Sequence, residues 1–120
     1  ATVLVVDDEP RMRRLARRML CELGYQVAEA QDAAEAAHLL EKDLDVDLLF
    51  TDVVMPGDFD GRALGSWARQ HCPGLKVLLT SGYLDPSSAR GPSGSEVLPF
   101  LQKPYSKDQL REAIRHLLSA

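Results

Sequence analysis

Several polar residues in this chain stand at or just past the ends of apolar runs, and their chemistry is of one kind. Asp7 and Asp8 follow Val3-Leu4-Val5-Val6, Asp52 follows Leu48-Leu49-Phe50-Thr51, Thr80 and Ser81 follow Val77-Leu78-Leu79, and Lys103 lies just beyond Val97–Leu101. An open parallel sheet binds ligands outside the carboxyl ends of its strands. The spacing therefore predicts one site holding three carboxylates, a hydroxyl and an ammonium. Three converging carboxylates repel one another and raise their own pKa values unless a cation is present. Magnesium suits such a site, because it takes oxygen ligands, keeps several waters and is held by one or two carboxylates beside a phosphate. Asp8 and Asp52 are the expected ligands, with Asp7 acting directly or through water, and a coordination position is left for a phosphoryl oxygen. A carboxylate can attack phosphorus to give an acyl phosphate, and Asp52, alone at the end of a central strand, is the best placed nucleophile. Lys103 then neutralises charge on the phosphoryl oxygens, and Ser81 donates to one of them. Singly these residues are ordinary: an Asp pair is often a helix cap with its neighbour, and a Lys-Pro dipeptide is common on surfaces. Their joint placement at successive strand ends carries the argument.

The elements that must position these groups fit one domain spanning residues 1–120. A chain of 120 residues with 45% hydrophobic content supports one core and is too short to suggest two. The formal net charge of -4 argues against nucleic acid or an anionic membrane as a direct partner. No apolar stretch approaches the roughly 20 residues that span a bilayer, and the first residues lead straight into a strand, so the expected location is cytoplasmic. Cys21 and Cys72 lie far apart without metal-ligand or redox spacing and read as buried thiols. His38, His71 and His116 share no spacing that assigns them a role.

After the first strand, Pro10 opens a helix in which Met12, Leu15, Ala16, Met19, Leu20 and Leu23 recur at helical spacing until Gly24 stops it. Tyr25–Ala30 is a strand with thin apolar content, suited to an edge. Asp32 with Glu35 resembles a capping box that opens a second helix through about Lys42. Asp47–Thr51 reads as a buried central strand, followed by a turn-rich stretch from Met55 to Gly61, a helix to about Gln70 and a break at Pro73-Gly74. From Asp85 to Ser95, prolines, glycines and serines predict a short or irregular fourth helix. Val97–Leu101 is the fifth strand, and Ser106 with Gln109 caps a last helix carrying Leu110, Ala113, Ile114, Leu117 and Leu118. The alternation predicts an α/β doubly wound, five-stranded parallel sheet of flavodoxin-like topology. Strand order 2-1-3-4-5 explains why the second strand contributes nothing to the site.

Val5-Val6-Asp7-Asp8-Glu9, Thr51-Asp52-Val53-Val54-Met55-Pro56-Gly57, Leu79-Thr80-Ser81-Gly82 and Leu101-Gln102-Lys103-Pro104 together resemble the receiver domain of two-component response regulators, across essentially the whole chain. The resemblance implies a phosphoacceptor switch: Asp52 takes a phosphoryl group from the phosphohistidine of a histidine kinase or a histidine phosphotransfer domain. It also implies that Asp7, Asp8, Asp52 and the Val54 backbone carbonyl organise Mg2+, that Lys103 contacts the phosphate, and that the Lys103-Pro104 bond is cis. Ser81, 22 residues before Lys103, takes the switch-hydroxyl position, leaving Thr80 to face the core. Phe100 takes the switch-aromatic position, where packing alone reports the change.

The loop through Gly57-Asp58-Phe59-Asp60 is one residue longer than in the commonest receivers and is similar to receivers attached to hybrid histidine kinases, as is the weak fourth helix. Kinase domains flanking this one in a longer protein are therefore expected. Val54 and Tyr83 flank the phosphate without polar help for an attacking water, which predicts slow self-dephosphorylation. Arg11, Arg13, Arg14, Arg17 and Arg18 give the first helix a basic face, either simply solvated or docking a partner helix bundle. Such a domain catalyses its own phosphorylation and dephosphorylation without turning over an external metabolite. Two alternatives remain: a degenerate receiver acting as a phosphorylation-independent interaction module, and a magnesium-dependent phosphatase. The second usually carries an acid two residues past its nucleophile, where this chain has Val54.

Overall fold

The computed structural model describes residues 1–42, 45–54, 60–81 and 99–119. Its elements run β1 (Thr2–Val6), α1 (Pro10–Glu22), β2 (Gln26–Ala30), α2 (Ala33–Glu41), β3 (Leu48–Asp52), α3 (Gly61–His71), β4 (Lys76–Ser81), β5 (Phe100–Gln102) and α4 (Lys107–Leu118). The strands form one parallel sheet in the order β2-β1-β3-β4-β5, the order expected from the second strand's lack of site residues. The fourth helix expected over residues 85–95 and the start of the fifth strand at Val97 lie outside the described residues, as do Gly82, Tyr83 and the loop through Gly57, Asp58 and Phe59.

Side chains alternate across each strand, and the two sheet faces bury separate cores. Leu4, Val6, Leu49, Val77 and Leu79 pack against Ala33, Ala36 and Leu40 of α2 and Leu64 and Ala68 of α3. Val3, Val5, Leu48, Phe50 and Leu78 pack against Ala16 and Leu20 of α1 and Leu110 and Ile114 of α4. β1 is buried through four successive residues, whereas β2 is mostly half-exposed, which matches their central and edge places. Each fully buried Leu or Phe removes enough apolar surface from water to be worth about 1.5–3 kcal/mol.

Local signals set the helix ends. Pro10 occupies the first turn of α1, and Gly24, at φ +95°, supplies the left-handed residue after its close. The Asp32 carboxylate accepts from the Glu35 amide at 2.8 Å. Ser106 and Gln109 form a reciprocal capping box at α4, each accepting from the other's amide, at 3.1 and 2.8 Å. Asp60 caps α3 through the Ala63 amide at 3.0 Å, a role the sequence left unassigned.

Three expectations are corrected. Leu15 is 45% exposed, because the buried stripe of α1 runs through Ala16 and Leu20 and leaves Leu15 on its flank. Cys21 is exposed on the outer side of α1 and Cys72 is half-buried, so neither is the fully buried thiol expected. The basic face of α1 is not wholly solvated either: Arg13 and Arg17 both pair with Glu29, at 3.4 and 3.6 Å.

Candidate functional site

The ladder continues past the formal strand ends and carries the polar residues into place. The Asp7 amide donates to the Ala30 carbonyl at 3.2 Å, the Val53 amide to the Thr80 carbonyl at 2.9 Å, and the Lys103 amide to the Ser81 carbonyl at 2.9 Å. Asp52 and Thr80 are register partners, as are Ser81 and Gln102. The sheet thus fixes the backbones of four segments at its carboxyl end before any side chain contributes.

The side chains then converge. Lys103 Nζ lies 3.2 Å from Asp52 Oδ2 and 3.4 Å from Asp7 Oδ2, with the lysine side chain only 17% exposed and Asp52 12%. Asp7, Asp8 and Asp52 each bring a carboxylate oxygen within 4.8 Å of the others. Asp7 is buried, Asp52 half-buried and Asp8 exposed. A cleft of about 420 Å³ opens over this group, and Val54, Ser81 and Met12 also line it. Three converging carboxylates form an all-oxygen donor set of the kind that a hard divalent cation takes.

Burial is the main influence on Asp52 and pushes its carboxyl above the ordinary 3.8. The Lys103 ammonium opposes the shift, the Asp7 charge reinforces it, and hydrogen bonds from Lys103 and the Val54 amide, at 3.3 Å, oppose it. Desolvation is the largest influence, and the Asp7 charge offsets part of what Lys103 supplies.

The backbone around Asp52 is fitted closely to the start of α3. The Gly61 amide donates to the Val53 carbonyl at 3.0 Å, and a Cβ at Gly61 would overlap the Asp52 carbonyl and lie 2.8 Å from the Val53 Cα. Only glycine permits that approach. Below the carboxylates, Tyr105 packs edge-on against Phe50 with ring centroids 5.8 Å apart. Its hydroxyl is pushed up to about 12, first by burial and then by Asp7 and Asp52. Sequence reasoning missed Gly61 and Tyr105. Tyr105 sits two residues past Lys103, a spacing that was available, but Gly61 acts through a contact across nine residues that no local pattern encodes.

The structure thus gathers Asp7, Asp8, Asp52, Ser81, Val54 and Lys103 at one cleft. Ser81 is 1% exposed. Phe100 stands apart, half-buried against the core between the sheet and the α2–α3 layer, in register with Leu79 two residues before Ser81. Thr80 faces the interior, 3% exposed, and its Oγ1 has no hydrogen-bond partner among the described residues. The Lys103-Pro104 peptide is cis.

The sequence pattern of the response regulator receiver domain matches residues 3–115. The chain belongs to that family. Receiver domains are switches of two-component signalling and are not turnover enzymes acting on metabolites. The sensor kinase CckA of Brucella abortus is 37% identical over 119 residues, which are 98% of this chain and 12% of that kinase. The crystal structure of the receiver domain from hybrid histidine kinase CckA is 35% identical, with a TM-score of 0.80 over 98% of this receiver and 99% of that one. The response regulator TrrA of Thermotoga maritima, crystallised with Mg(2+)-BeF, is 29% identical, with a TM-score of 0.84 over 98% of each chain. No described helix of this receiver is long and apolar enough to cross a membrane.

Proposed function

We propose that this receiver is a working phosphoacceptor, a single domain over residues 1–120 in which Asp52 takes a phosphoryl group from a phosphohistidine. The observation that carries the reading is the half-buried Asp52 carboxylate, 3.2 Å from Lys103 Nζ and inside a carboxylate trio. An Asp52 oxygen attacks phosphorus, the P–N bond to the donor imidazole breaks, and its electron pair returns to the ring nitrogen. Lys103 follows the charge from the carboxylate to the phosphoryl oxygens, and Ser81 donates its hydroxyl to one of them. Asp7, Asp8, Asp52 and the Val54 carbonyl would hold Mg2+, which when bound supplies charge neutralisation for the carboxylates and the transferring group.

Phosphorylation then draws Ser81 toward the phosphate and lets Phe100 turn into the space released, which alters the surface offered to partners. The donor is a histidine kinase or a histidine phosphotransfer domain, and the reading places the receiver in the cytoplasm with it. The likeness to CckA, of which the chain spans only 12%, supports a place within a hybrid histidine kinase with kinase domains flanking the receiver. The exposed Arg14 and Arg18 of α1, with Leu15 beside them, offer that donor a docking face.

Intact-mass spectrometry after incubation with acetyl phosphate and magnesium tests the proposal. One added phosphoryl group is expected on the wild type, dependent on magnesium and absent from Asp52→Asn. A folded, magnesium-binding wild type that gains no mass would sink the phosphoacceptor reading and favour a phosphorylation-independent interaction module.

A further inference from the structure

The sequence leaves Arg13 among five basic residues of a helix face, but in the structure it points to a separate task. Its Nη1 donates to the Asp7 carbonyl at 2.8 Å. Its Nε lies 3.4 Å from Glu29 Oε1, and its side chain is only 19% exposed, against 30% for Glu29. Glu29 is in register with Val5 on the adjacent strand, so it stands near the point where β1 ends and the acidic turn begins. The other Glu29 oxygen lies 3.6 Å from Arg17, whose side chain is 56% exposed.

Asp7 is thereby held on every side that a residue offers. Its amide donates to Ala30 at 3.2 Å, its Oδ1 accepts from the Glu9 amide at 2.9 Å, its Oδ2 faces Lys103, and its carbonyl takes Arg13. The carbonyl bond is the shortest of these. It fixes the Asp7–Asp8 peptide, which joins two of the three carboxylates of the trio. A planar guanidinium donates from separate nitrogens of one rigid fork and so holds two acceptors in a fixed geometry, whereas an ammonium is a compact point charge on a flexible stem.

We infer that Arg13, anchored by Glu29, is a positioning residue that sets the Asp7–Asp8 peptide and so tunes the affinity of the carboxylate trio for magnesium. The inference rests on the metal-assisted phosphoacceptor reading and extends it to a pair outside the cleft. Removing a group that orients a metal ligand typically weakens metal binding 10- to 100-fold. Because Arg13 acts through a backbone carbonyl, a loss of about 10-fold is expected, at the low end of that range.

Calorimetric titration of MgCl2 into the wild type, Arg13→Ala, Arg13→Lys, Glu29→Ala and the Arg13→Ala/Glu29→Ala double variant tests it, with melting temperatures in EDTA recorded alongside. Arg13→Ala should raise the magnesium Kd about 10-fold. Arg13→Lys should recover part of the loss, and Glu29→Ala should weaken binding less than Arg13→Ala. The double variant should bind no worse than Arg13→Ala, since both changes break one chain of contacts. A folded Arg13→Ala whose Kd stays within about twofold of the wild type, with only its EDTA melting temperature lowered, would reduce Arg13 to a structural role and overturn the inference. If Arg13→Ala does not fold, Arg13→Lys and Glu29→Ala decide, and wild-type Kd values in both overturn it. A wild type that binds no magnesium removes the phosphoacceptor reading and this one together, whereas magnesium binding indifferent to Arg13 removes this one alone.

Discussion

At the scale of single residues, Asp52 is held in a state that its own fold disfavours. Burial raises its pKa above 3.8 despite Lys103 beside it, so the folded chain binds this proton more tightly than the unfolded chain does. Between 3.8 and the higher folded value, stability therefore falls as pH rises, and above the folded value the ionised carboxylate carries its full cost. Asp52→Asn should accordingly melt higher than the wild type at neutral pH in EDTA, with the advantage fading as pH drops toward 3.8. Thermal melts across pH 4 to 8 check this, and an Asn variant that melts lower throughout would show that Lys103 outweighs burial. Residues of this kind are legible in sequence. Asp7, Asp8, Asp52, Ser81 and Lys103 each sit at the end of an apolar run, and parallel strands bring their ends together. Arg13 is not legible in that way, because its partner Glu29 is set by the pairing register of a neighbouring strand and its other contact is a backbone carbonyl.

At the scale of elements, α3 and β3 are fitted together at the reacting residue. Gly61 opens α3 directly over the Asp52 carbonyl, so a methyl group there must move either the helix or the nucleophile. Gly61→Ala should cost about 1–3 kcal/mol, as overpacking typically does, and should also slow phosphorylation by acetyl phosphate. Urea unfolding and timed mass spectrometry measure the two effects separately, and an alanine variant with wild-type stability would contradict the close approach. The caps at Asp32 and Ser106 are readable because donor and acceptor lie three residues apart, within the reach of a local pattern. Leu15 is misread for a related reason: periodicity gives the apolar stripe of α1 but not where its edge falls, which depends on how far β1 and β2 extend beneath the helix.

At the scale of the whole molecule, two separate cores flank one sheet, right-handed crossovers put helices on both of its faces, and the strand order 2-1-3-4-5 leaves β2, which brings no site residue, at an edge. The sequence reading reaches that topology because β1, β3 and β4 are apolar over nearly their whole length while β2 is interrupted by Gln26 and Glu29. Within the interior so formed, Thr80 Oγ1 is buried and has no hydrogen-bond partner among the described residues. A buried hydroxyl left unpaired costs about 1–3 kcal/mol. Thr80→Val keeps the shape and removes the oxygen, so it should raise the melting temperature by about 4 °C per kcal/mol recovered, with the nearby cleft still accepting phosphate. A differential scanning calorimetry trace with no upward shift would mean that the hydroxyl is satisfied in solution. For anyone wishing to turn this switch into a durable sensor component, Thr80 is a place to add heat tolerance and storage life without editing the residues that do the signalling.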